Sequence, residues 1–115
     1  METYEKIHLS DKNFKRNIEP LNNSLENLNK INGVYYEWDT DKYPSFSKGK
    51  QIGLIAQEVK EIYPELVKGN EDSKLSLIYD KIVAILIESI KDLDKKYTDE
   101  INKLHNIIDD LSKRI

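Results

Sequence analysis

Apolar positions recur along this chain first at helical spacing, then in short alternating runs, then again at helical spacing, and the changes of rhythm mark its elements. Pro20 suits the first turn of a helix, and Leu21, Leu25, Leu28 and Ile31 follow at spacings of four, three and three, on one stripe. Asn32-Gly33 ends that helix. Val34-Tyr35-Tyr36-Glu37-Trp38 is rich in aromatic and β-branched residues and predicts a strand. Residues 39–50, with Pro44 and Gly49 among polar side chains, read as the long tip of a hairpin whose second strand covers residues 51–55. Ala56, Val59 and Ile62 or Tyr63 then share a helical face, and Pro64 stops that helix. Leu66-Val67-Lys68, the turn Gly69-Asn70-Glu71-Asp72 and residues 75–78 predict a second hairpin, after which Asp80 is placed to cap the next helix.

From Lys81 onward there is neither Gly nor Pro, so the chain is expected to run helical to its end, about 50 Å at 1.5 Å per residue. The first part of this helix, with Ile82, Val83, Ile85, Leu86, Ile87 and Ile90, is apolar around much of its circumference and is expected to be buried. Further on, Tyr97, Ile101, Leu104, Ile108, Leu111 and Ile115 alternate four and three, the seam of a coiled coil over roughly two and a half heptads. The competing expectation is an amphipathic helix folded back on its own domain. Ile at the a-like and Leu at the d-like positions favour a parallel dimer, whereas Ile107 at a g-like position widens the stripe in the manner of a trimer or larger bundle. The periodicity permits three chains without choosing them. The expected class is α+β, with short antiparallel hairpins, helices and a long C-terminal helix in a coiled coil.

Composition narrows the function classes. One domain, or a small domain with an extension, fits 115 residues. Charged residues make up 34%, yet 18 Lys and Arg against 21 Asp and Glu leave a net charge of only −3, which argues against a nucleic-acid-binding face. The absence of cysteine excludes a disulfide framework and a thiolate nucleophile. His8 and His105 stand far apart without ligand-like neighbours, so neither a metal nor a cofactor is expected. Residues 1–5 lack the pattern of a secretory signal, and the longest apolar run, residues 82–87, is far short of the ~20 residues that cross a bilayer. A soluble fragment with its upstream part missing is expected.

Candidate chemistry lies near the start, where Ser10-Asp11-Lys12-Asn13-Phe14-Lys15 sets a hydroxyl and an amine five residues apart. A serine and a lysine form a minimal nucleophile and base. Lysine accepts a proton only when neutral, and its ordinary pKa of ~10.4 means that burial or neighbouring cations must favour that form. Lys12 and Arg16 supply cations, and Asp11 is the supporting candidate, opposing them unless turned away. Gln57 and Glu58 are read as first-turn residues suited to the helix dipole. Tyr35, Tyr36 and Trp38 are read as core and stalk contacts, and Lys48-Gly49-Lys50 as too small for a phosphate site.

Taken in order, Ser10 through Ile18, Gly33 to Trp38, Gly53 to Val59, Tyr63-Pro64-Glu65-Leu66-Val67 and Leu77-Ile78-Tyr79 through Leu86-Ile87-Glu88-Ser89-Ile90-Lys91 resemble the intramolecular chaperone domain at the C-terminus of endosialidase tailspikes and other phage fibres, a self-cleaving Ser/Lys peptidase family, S74. The resemblance spans roughly residues 10–93. It implies a homotrimer that assists an upstream β-rich stalk of the same polypeptide and then releases itself, with a scissile Leu9-Ser10 bond, Ser10 as nucleophile and Lys15 as base. Asn13 and Phe14 depart from the basic and aliphatic run usual between the motif Asp and Lys. The implied organisation is the end of a stalk at residues 1–9, a chaperone and autoprotease domain at residues 10–93, and a trimeric coiled coil at residues 94–115. The implied setting is a virion tail precursor made in host cytoplasm, its domain shed after assembly, with neither nucleic acid nor membrane as a direct partner of this fragment. The alternatives are a non-cleaving trimerisation module that stays on its fibre, the equivalent domain of a transcription factor resembling myelin regulatory factor, and a cytosolic coiled-coil adaptor.

Overall fold

A computed structural model describes residues 7–70, 72 and 74–115. Residues 1–6 of the expected stalk end, and Glu71 of the expected turn, lie outside the described residues. The expected first helix shortens to α1, Ser24–Leu28. Asn23 adopts a left-handed φ of 57° and makes no side-chain cap, so the helix starts late; the Asp92 carboxylate of the last helix accepts from the Leu25 amide at 3.4 Å instead. Leu25, Leu28 and Ile31 of the predicted stripe are half-buried, while Leu21 is exposed.

Strand β1, Val34–Glu37, pairs antiparallel with β2, Lys50–Gly53, in a register that sets Val34 opposite Gly53 and Glu37 opposite Lys50. The second strand thus ends two residues earlier than expected, because Ile55 already serves as the N-cap of α2, Ala56–Ile62. Pro64 opens a single 3-10 turn, as a residue without an amide hydrogen can at a first helical position. Then β3, Val67–Lys68, pairs antiparallel with β4, Ser76–Leu77, and the Ile78 amide extends the pairing to the Leu66 carbonyl at 2.8 Å. A 3-10 turn at Tyr79–Lys81 leads into α3, Ile82–Lys113. Asp80 sits inside that turn and does not cap α3, contrary to the expectation.

Four apolar side chains form the buried core: Val59 and Tyr63 of the α2 region, Leu66, and Ile85 of α3. Leu28, Ile31, Leu54, Ile62, Val67, Leu77 and Ile82 pack around them. The expected burial of the start of α3 is corrected: Ile85 is inside and Ile82 half-buried, but Val83, Leu86, Ile87 and Ile90 are exposed, since the small domain covers only one side of the helix. Beyond it α3 stands free, exposed at every position from residue 90 on, rather than folding back. The radius of gyration is therefore 21.2 Å, against about 13 Å for a compact chain of this length. Tyr97, Ile101, Leu104, Ile107, Ile108 and Leu111 all lie open to solvent along this free stretch, and Ile115, the last seam residue, falls beyond the helix. Between them run polar pairs such as Lys95 with Asp99 at 2.9 Å, whose hydrogen bond and negative charge raise the lysine pKa.

Candidate functional site

The reach from Ser10 to Lys15 is set by one tight turn. Asp11 caps a 3-10 helix at Lys12–Phe14, its carboxylate accepting from the Asn13 amide at 2.9 Å. The Phe14 and Lys15 amides donate to the carbonyls of Asp11 and Lys12 at 3.1 and 3.0 Å. That turn folds the chain back on itself, and Lys15 Nζ donates to Ser10 Oγ at 2.7 Å. Asp11 is thus turned to the backbone by its cap. Two residues after Lys15, Asn17 takes a φ of 56°, a left-handed conformation that asparagine tolerates better than most side chains.

The pair and its surroundings are exposed on the single chain, and the large apolar side chains of Ile7, Leu9, Phe14 and Ile18 flank it uncovered. Upstream of the pair, His8 Nε2 meets the Asp80 carboxylate at 3.0 Å. No local sequence signal announces this contact, because its partners come from opposite ends of the domain. An open groove of about 550 Å³ between the two hairpins, walled by Tyr36, Trp38, Leu54, Leu77 and Tyr79, lies apart from Ser10 and Lys15. Trp38 stacks on Phe46 at 4.7 Å and meets Tyr36 edge-on at 5.0 Å, while Tyr35 points outward under Lys50. Glu58 accepts a hydrogen bond from Asn32 at 3.3 Å in the first turn of α2. Among the described residues, no cluster of three or more His, Cys, Asp or Glu side chains forms a metal site, and no helix is long and apolar enough to cross a membrane.

A small α+β domain with two hairpins, a free C-terminal helix and a serine hydrogen-bonded to a lysine near its start defines a recognisable class. The model of the family described as chaperone of endosialidase, peptidase S74, matches residues 10–68, and this chain belongs to that family. Similar proteins include the long tail fiber protein Gp37 of Enterobacteria phage K3, 30% identical over 99 residues that cover 83% of this chain and 8% of that protein. Its namesake in Enterobacteria phage T2 is likewise 30% identical over 99 residues, covering 83% of this chain and 7% of that protein, and the one in Escherichia phage AR1 is 34% identical over 87 residues, covering 72% and 8%. The chain therefore spans less than a tenth of the length of these relatives.

Proposed function

We propose that this domain is an intramolecular chaperone for a β-rich tail fibre upstream in the same polypeptide, that three copies join through a coiled coil of α3, and that the domain then frees itself by cutting between Leu9 and Ser10. Residues 1–9 are the end of the fibre stalk in this reading, residues 10–93 the chaperone and autoprotease, and residues 94–115 the coiled coil. Its place is the precursor of a virion tail, made in the host cytoplasm and shed of this domain after assembly. The named relatives are tail fibre proteins, which favours a fibre over the transcription-factor alternative.

The observation that carries the cutting step is the 2.7 Å contact between Lys15 Nζ and Ser10 Oγ. For catalysis the same contact works with the roles exchanged: a neutral amine accepts the hydroxyl proton as Oγ adds to the Leu9 carbonyl carbon. The bond from that carbon to the Ser10 nitrogen breaks, and the proton passes from Lys15 to the departing amine. Water then hydrolyses the resulting ester, leaving a carboxylate on Leu9 and a free amine and hydroxyl on Ser10. Because desolvation disfavours a charged amine, packing of copies around this exposed pair favours its reactive form and ties the cut to assembly.

Intact-mass analysis of the chain carrying its native upstream stalk tests the proposal, with Ser10→Ala and Lys15→Ala alongside and the oligomer mass recorded. A wild-type product beginning at Ser10, absent from both variants, in a threefold assembly is the expected result. A trimer left whole in all three leaves a structural cap that stays on its fibre.

A further inference from the structure

Ser10 and Lys15 hold one side of the Leu9-Ser10 peptide, and a separate contact holds the other. His8, the residue before Leu9, places Nε2 3.0 Å from the Asp80 carboxylate. Among the described residues, the other hydrogen bonds of residues 7–16 stay within that segment, so this is the tie that fastens it to the domain. Its anchor is firmly set. Asp80 lies in the 3-10 turn between β4 and α3, whose neighbour Tyr79 accepts from the Leu54 amide at 3.1 Å. The Tyr79 hydroxyl sits so close to Gly53 that a Cβ built there would lie 2.9 Å from it. The Ile78 amide on the other side donates to Leu66 at 2.8 Å. The turn is thus tied to both hairpins.

We infer that His8 and Asp80 are positioning residues for the cut, a clamp that holds the segment before the scissile bond on the root of α3 while Lys15 engages Ser10. The inference rests on the proposed cut before Ser10. Two pins two residues apart, with one peptide bond in each direction between them and Leu9, restrict how the Leu9 carbonyl can turn, and such restriction is a large part of what makes an intramolecular attack fast. Both partners are well exposed, at 65% and 64%, so the clamp is weak. Weakness suits it: His8 departs with the upstream product, and a strong tie would hold that product on the domain after the peptide is gone. The clamp also hangs the substrate segment on the turn that starts α3, so the orientation of the helix root and that of the bond to be cut are linked.

The test is a time course of cutting by intact mass, on the full chain with its native stalk, for wild type, His8→Ala, Asp80→Ala, the double variant, His8→Lys and Asp80→Glu. Each alanine variant is expected to cut about two- to fivefold more slowly, the double variant no more slowly than the singles, and His8→Lys and Asp80→Glu close to wild type. A general loss of fold would not be rescued by a lysine at position 8. Single variants that cut at the wild-type rate, or effects that multiply in the double variant, overturn the clamp while the Ser10 and Lys15 reading stands. A wild-type chain that never cuts overturns both. Should Asp80→Ala fail to assemble, His8→Ala decides alone, since His8 is an exposed residue whose side chain meets Asp80.

Discussion

Ser24 and Ser89 are fully or almost fully buried where α1 packs on α3, and neither hydroxyl has a hydrogen-bond partner among the described residues. Small side chains let the two helices approach closely, but an unpaired buried hydroxyl forfeits its hydration. Ser89→Ala is therefore expected to raise the unfolding free energy by about 0.5–1 kcal/mol, measured by urea titration at fixed chain concentration. Ser89→Val, which forces volume into the same contact, is expected to lower it by roughly 1–3 kcal/mol. The opposite order would mean that the interface is loose enough to take the larger side chain. The proximity of Ser10 and Lys15 was legible in the sequence because their reach is local, six consecutive positions closed by one capped turn. His8 and Asp80 were not, since only the finished fold brings the first described residues to the root of α3.

At the level of elements, spacing and punctuation located both hairpins, α2 and α3, because Pro64, Gly69 and the alternation of aromatic and β-branched residues are local signals. The early helix came out short for an equally local reason that composition hides: Asn23 takes a left-handed φ, and a stripe of leucines does not register that choice. The start of α3 misled in a different way. Its apolar circumference predicts burial correctly only if something covers every side, and one domain covers one side. The exposed seam makes the next expectation specific. Leu104→Asp together with Ile108→Asp puts charge on two successive seam positions, and light scattering is expected to fall from three times 13.5 kDa to 13.5 kDa, with the cut lost as well. An unchanged mass would remove α3 from the assembly interface.

For the molecule as a whole, a core of four buried apolar side chains is small beside the large apolar residues left open on α3 and around Ser10. In the proposed assembly such a chain would gain much of its stability from partners, and stability that comes from partners follows mass action. The melting temperature is expected to climb by roughly 3–6 °C for each tenfold increase in chain concentration, read by circular dichroism at 222 nm. A melting temperature independent of concentration would mean that each chain holds itself together.

The order of these parts along the polypeptide also sets a schedule. Ser10 and Lys15 precede α3 by most of the chain, so a ribosome moving at roughly 5–20 residues per second finishes this pair several seconds before it finishes the helix. On the proposed reading, a cut that needs α3 waits until the helix has been made, and a message truncated before the helix yields a product that stays whole. On that reading, setting α3 downstream of Ser10 and Lys15 makes the cut a check that translation has passed through the helix.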